Sequence, residues 1–190
     1  MEIKQKTEES LGHVMLDLET MGKRSNSAII SIGAVEFNIN TGETGDEFYT
    51  RVDLQSCLDV GLKINASTVY WWLTQNEKAR QEVAKGGENI YIALEAFNDW
   101  FKKLGDKIQI WGNGARFDIG ILEDAYVACG YHKMPWHFRG ERDLRTLVAF
   151  DPNVKTKVMD NFKGVEHDAI DDCKAQIEYA SKIWNKYFKK

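Results

Sequence analysis

The apolar run Val14-Met15-Leu16 is closed by Asp17-Leu18-Glu19-Thr20, which puts two carboxylates, two residues apart, at the end of a segment that otherwise reads as buried strand. Successive side chains of a strand alternate, so Asp17 and Glu19 leave the same face and can converge on one cation. A strand apolar on both faces up to that point is expected of a central strand covered by helices on both sides. Ligands of open α/β sheets bind beyond the carboxyl ends of strands, so the pair is expected to line a crevice. Two further acidic segments lie downstream, Phe117-Asp118 and a pair formed by His167 and Asp172. Three separated acidic segments point to an oxygen-ligand metal pocket.

Length bounds the machinery around such a pocket. At 190 residues, 43% hydrophobic and 12% aromatic, the chain can bury one substantial core, and residues 1–190 are expected to form a single domain. No stretch approaches the roughly 20 apolar residues of a membrane span, and Met1-Glu2-Ile3-Lys4 does not begin a signal peptide, so no membrane partner is expected. Cys57, Cys129 and Cys173 are odd in number and widely spaced, which suggests neither a disulfide framework nor a zinc site and fits a reducing cytoplasm. The net charge of −4 argues against holding nucleic acid by a broad basic surface. It does not exclude a nuclease, because bound divalent cations can receive a phosphate that a carboxylate-rich cleft would repel.

The first third of the chain reads as β. Residues 13–19, 28–37 and 47–52 are expected strands, the last two joined through the turn-rich Asn38-Ile39-Asn40-Thr41-Gly42. From Ser67 the pattern is helical, with Ser67 or Thr68 capping a short helix through Trp72, and Gly86-Gly87 ending the region. A helix starting near Glu88 carries Ile90, Leu94, Phe97, Phe101 and Leu104 as one sheet-facing stripe. Residues 108–111 form a short strand that breaks at Gly112-Asn113-Gly114, and residues 115–129 resume as helix with Asp118 in its first turn. Ile170, Cys173, Ile177, Ala180, Trp184 and Tyr187, three and four apart, define a long final helix. Strands, then helices, then another strand imply an α/β sheet flanked by helices.

His167 and Asp172 do not share a face of a continuous helix. The simpler arrangement places His167 in the loop before the last helix and Asp172 one turn inside it, with Asp168 at the N-cap and Asp171 in the first turn as capping and dipole-complementing acids.

Asp17-x-Glu19, Phe117-Asp118 and His167-x-x-x-x-Asp172 together resemble the three motifs of the DEDDh branch of the DEDD exonuclease superfamily, across roughly residues 12–180. Leu16 to Gly22, Thr68-Val69-Tyr70-Trp71-Trp72-Leu73, Arg142-Asp143-Leu144-Arg145-Thr146 and His167 to Asp172 resemble more narrowly the phage exonuclease A and RNase AS-like subgroup. The resemblance implies a ribonuclease H-like fold with a central mixed five-stranded sheet. It implies Asp17, Glu19, Asp118 and Asp172 as ligands of two Mg²⁺ or Mn²⁺ ions, and His167 as acceptor of the attacking water's proton. An imidazole suits that task near neutral pH, although neighbouring carboxylates raise its pKa until cations neutralise them.

Thr20 and Met21, after the first motif, are where the resemblance places contacts to the terminal nucleotide; Trp71, Trp72 and Asn113 complete the candidate substrate-binding set. A tryptophan offers a stacking face for an unpaired base, but adjacent helix residues point roughly 100° apart, so one of Trp71 and Trp72 is expected in the cleft and one in the core. Lys155, Lys157 and Lys163, expected in the loop ahead of His167, and Arg139, Arg142 and Arg145 before it are candidates for upstream phosphates, or else form a solvated loop with Arg142 and Arg145 paired to Glu141 or Asp143.

The reading is a metal-dependent 3′-to-5′ exonuclease releasing nucleoside 5′-monophosphates from 3′ ends of single-stranded nucleic acid, with DNA slightly favoured over RNA. An exoribonuclease, a phosphodiesterase for short oligonucleotides and a nucleic-acid-binding module are the alternatives. Related enzymes acting on RNA ends are often dimers, so a homodimer is implied by resemblance alone.

Overall fold

The computed structural model describes residues 10–164 and 168–189. Its strands are β1 (His13–Thr20), β2 (Ile29–Phe37), β3 (Thr44–Arg51), β4 (Gln109–Gly112) and β5 (Glu141–Asp143). Its helices are α1 (Leu54–Asp59), α2 (Ala66–Leu73), α3 (Glu77–Ala84), α4 (Ile90–Lys103), α5 (Asp118–Ala128), α6 (Leu144–Val148), α7 (Pro152–Met159) and α8 (Ala169–Tyr187). The five strands form one sheet in the order β3-β2-β1-β4-β5. β1, β2 and β3 pair antiparallel, whereas β4 and β5 continue from β1 in parallel. The β2–β3 hairpin turns at Gly42, whose φ of 75° is a left-handed conformation that glycine adopts without a Cβ clash.

The alternation within β1 divides the core. Val14, Leu16 and Leu18 join the larger cluster with Ile90, Leu94, Phe97 and Phe101 of α4 and Ile119 and Leu122 of α5. The expected stripe of α4 is thus the sheet-facing one. Met15 joins the second cluster, with Val35 and Phe37 of β2 and Cys173, Ile177 and Ala180 of α8. Asp17 and Glu19 continue the Met15 side of the strand, so they face the layer built by α6, α7 and α8.

Several expectations differ in detail. The cap of α2 is Asn65, whose side chain accepts from the Ser67 N–H, and not Ser67 or Thr68. Asn65 also donates its own backbone N–H to the Met21 carbonyl at 2.7 Å, so the helix starts where the chain is tied to the end of β1. Lys155 and Lys157 lie on α7 and not in a loop, because Pro152 begins a helix there. β5 is only three residues long and was not separable from its charged surroundings by pattern. Asp168 caps α8 as expected, accepting from the N–H groups of Ile170 and Asp171.

Helix α8 packs tightly on the sheet at Gly33. It pairs with Asp17 across the β1–β2 ladder. A Cβ at Gly33 would lie 2.6 Å from Ala169 Cβ and 2.8 Å from the Ala169 carbonyl carbon. The first turn of α8 therefore rests directly on β2. The Cys173 thiol follows the same line, donating to the carbonyls of Met15 and Gly33 at 3.4 and 3.7 Å. A Gly33→Ala substitution is expected to cost about 1–3 kcal/mol by overpacking, read as a lower urea midpoint. Adding Ala169→Gly should recover only part of this loss, because the obstruction includes backbone atoms.

Candidate active site

Three elements meet at the carboxyl end of β1. One carboxylate oxygen from each of Asp17, Glu19 and Asp172 lies within 4.8 Å of the others, and all three residues are partly buried. The two-residue spacing on β1 and the seating of α8 on Gly33 produce this convergence. A register shift between Glu19 and Thr20, where β2 carries one extra residue, bends the ladder at the same place.

Asp118 arrives from the other side. It is 2% exposed, and its Oδ1 accepts the backbone N–H of Leu18, between the two β1 acids, at 3.3 Å. Its Oδ2 is buried without a hydrogen-bond partner among the described residues. Gly112, at the end of β4, makes room for this carboxylate, since a Cβ there would come within 3.1 Å of Oδ2. The turn that delivers Asp118 is held by Asp143, whose Oδ2 accepts the Ala115 N–H at 2.8 Å while its Oδ1 caps α6 through the Thr146 N–H at 2.7 Å. The segment Arg142 to Thr146 thus anchors the approach of Asp118.

The electrostatics record the crowding. Burial first, then the Asp118, Glu19 and Asp172 carboxylates, raise the pKa of Asp17 well above the ordinary range. Glu19 is pushed up to about 8 by burial, then by Asp172, Asp118 and Asp168. Burial also takes Asp118 to about 7, against the opposing pull of nearby backbone N–H groups at Leu18, Asp118 and Asn113 and the Arg145 charge. Acids packed together with raised pKa values and an unpartnered buried oxygen fit hard divalent cations, which supply the missing positive charge.

Gln176 was not anticipated. Its Nε2 donates to Asp17 Oδ1 at 2.8 Å, and its Oε1 is buried without a hydrogen-bond partner among the described residues. The available signal was its position four residues after Asp172, which places both on one face of α8.

The candidate substrate contacts separate. Trp72 is 4% exposed and donates its indole N–H to the Thr20 carbonyl at 3.0 Å, so it braces the strand end and has no free face for a base. Trp71 is 39% exposed and packs edge-on against Trp72. Met21 is a core residue whose N–H donates to the Ala28 carbonyl and whose carbonyl accepts from Asn65, so its N–H is committed within the fold. The Thr20 hydroxyl donates to the Gly22 carbonyl at 2.7 Å. Asn113 is partly buried in the turn before α5. His167 lies outside the described residues. Of the named cations, Arg142 donates to the carbonyls of Arg139 and Glu141, and Lys155 lies over the Tyr179 ring.

Against known proteins, the model of the 3′-5′ exoribonuclease Rv2179c-like domain matches residues 12–184. The chain belongs to that family. As a member of the Rv2179c-like family, it is a 3′-to-5′ exonuclease. An exodeoxyribonuclease of Enterobacteria phage T4 is 28% identical over 195 residues, covering 86% of this chain and 85% of the relative. Among solved structures, E. coli exonuclease I in complex with a dA16 oligonucleotide superposes with a TM-score of 0.67 at 17% identity, over 92% of this chain. This chain spans 41% of that protein. The nuclease domain of 3′hExo, a DEDDh family member bound to rAMP, gives 0.65 at 15% identity, over 93% of each chain. These likenesses show a ribonuclease H-like fold for this Rv2179c-like member. Among the described residues, no helix is long and apolar enough to cross a membrane.

The raised pKa values give a signed pH dependence. A carboxyl whose folded pKa exceeds its unfolded value contributes stability below the unfolded pKa and loses it as pH rises through the folded one. Chelated protein is therefore expected to melt progressively lower from pH 5 to pH 8, the window ending near the values of Asp118 and Glu19. Adding Mn²⁺ at pH 8 should restore the melting temperature, as read by calorimetry.

Proposed function

We propose that this chain releases nucleoside 5′-monophosphates from the 3′ end of single-stranded nucleic acid, with Asp17, Glu19, Asp118 and Asp172 holding two Mg²⁺ or Mn²⁺ ions. The observation that carries the reading is the convergence of three carboxylates within 4.8 Å beside the unpartnered buried oxygen of Asp118. When bound, the ions offset the charge of the phosphate and of the displacement at phosphorus. The chain's own residues do the rest. Gln176 orients Asp17, and the Leu18 N–H fixes Asp118. His167 accepts a proton from the water whose oxygen bonds to phosphorus as the bond to the 3′ oxygen breaks. The products are a 5′-mononucleotide and a strand one residue shorter.

DNA is the favoured substrate, supported by the near full-length match to a phage exodeoxyribonuclease. RNA is the second reading, supported by the exoribonuclease description of the family. The enzyme chooses through how its cleft meets a 2′-hydroxyl. Trp71 is the residue offered to the terminal bases, and a cytoplasmic site of action accompanies the reading.

The test uses 5′-labelled DNA and RNA strands of identical sequence, with Mg²⁺, Mn²⁺ or chelator. Wild-type protein should give a metal-dependent ladder shortening from the 3′ end, and Asp17→Asn or Asp172→Asn should lower the rate at least about a thousandfold with the fold retained. A folded, fully active Asp17→Asn protein would overturn the assignment. Trp71→Ala is expected to raise KM between about fivefold and about 150-fold, corresponding to about 1–3 kcal/mol of lost stacking.

A further inference from the structure

The acid pocket is bordered by a cleft of opposite character. Lys23, Arg24, Arg116 and Arg145 line a groove of about 990 Å³, together with Gly114, Phe117 and the loop residues Ser25 and Asn26. Lys23 and Arg24 follow the end of β1, Arg116 lies in the turn leading to Asp118, and Arg145 is on α6. All four cations therefore come from segments that leave the carboxyl ends of β1, β4 and β5, the end at which the carboxylates converge.

The cations are not tied up in ion pairs. Among the described residues, none of the four makes a side-chain hydrogen bond or an ion pair, whereas Lys174 is paired with Glu47 and Lys182 with Glu178 at the α7–α8 depression. The groove's own acids are Asp124 and Asp143, and both Asp143 oxygens are occupied by Ala115 and Thr146. Arg145 is held in place by backbone shape. Its guanidinium lies against Gly114, where a Cβ would come within 3.1 Å of Arg145 Cζ and where φ is 110°. Gly114 thus leaves the flat face of the guanidinium room beside the turn that carries Asp118.

Resting on the exonuclease reading, we propose that this groove is a phosphate track, in which Lys23, Arg24, Arg116 and Arg145 hold the backbone of the strand on the 5′ side of the bond being cut. The track explains how a protein of net charge −4 retains a polyanion: the positive charge is concentrated along one path instead of spread over the surface. It also assigns the substrate class by length. A dinucleotide reaches the carboxylates without occupying the groove, whereas a strand of a dozen nucleotides engages it. The protein therefore prefers polynucleotide ends to short oligonucleotides.

The experiment compares wild-type protein with the double variant Arg24→Gln/Arg116→Gln, neither residue a proposed metal ligand. Binding of a fluorescein-labelled dT12 is followed by anisotropy in Ca²⁺ across a salt series, and hydrolysis of dT12 and of a thymidine dinucleotide is followed in Mg²⁺. Each phosphate neutralised on a single strand contributes about 0.7 to the slope of log affinity against log salt, so the variant should flatten that slope by about 1.4. Its affinity for dT12 should fall on the order of tenfold, with the dinucleotide KM changing far less. An unchanged salt slope, or equal losses on dT12 and the dinucleotide with an unchanged melting temperature, would overturn the track. Because the anisotropy arm reads binding without turnover, a protein that binds dT12 through these arginines but cuts nothing would sink the exonuclease assignment and leave the track standing.

Discussion

The seating of α8 on Gly33 is the contact on which the rest of the molecule depends. The helix comes close enough to the sheet that no side chain fits between Gly33 and Ala169. Gly33 is also the ladder partner of Asp17, so this close approach of helix to sheet falls beside the acid that needs it. Pulled in at that point, α8 brings Asp172 and Gln176 over β1 on successive turns. The remaining contacts of the helix, through Cys173, Ile177 and Ala180, are ordinary apolar packing that holds this placement.

Around that contact the fold works against its own electrostatics. Asp17, Glu19 and Asp172 converge, Asp118 reaches the same strand end, and burial favours the protonated forms of Asp17, Glu19 and Asp118. Two of these acids receive directed neutral donors, a side-chain amide on Asp17 and a backbone N–H on Asp118. Neutral donors orient the two carboxylates without cancelling their negative charge.

Much of this was legible in the sequence, and the reasons are local. The spacing of Asp17 and Glu19, the stripe of α4 and the cap at Asp168 follow from the periods of strand and helix. The separation between motifs followed from where strands end. What escaped depends on long-range proximity. Gln176 looks like any polar residue of an amphipathic helix until its neighbour on β1 is known. Trp71 and Trp72 are identical in type and adjacent, and only the position of the Thr20 carbonyl decides which is buried. The structure also recasts Thr68 to Leu73 and Arg142 to Thr146 as braces, the first for the end of β1 and the second for the turn before Asp118. Lys23 and Arg24 lie far from Arg116 in sequence, and the three line one groove only after β1 and β4 are placed side by side.

Cys173 follows Asp172 directly, and its placement bears on the chemistry of the pocket. Its thiol is turned into the core toward the Met15 and Gly33 carbonyls, and burial, followed by the surrounding carboxylates, holds it protonated far above neutral pH. A thiol is a metal ligand only as thiolate. The soft donor nearest the carboxylates is thereby kept out of the coordination set, and thiophilic ions such as copper(I) find no sulfur there to select them. Among the described residues the site presents carboxylates, so ion selection falls to size and hardness.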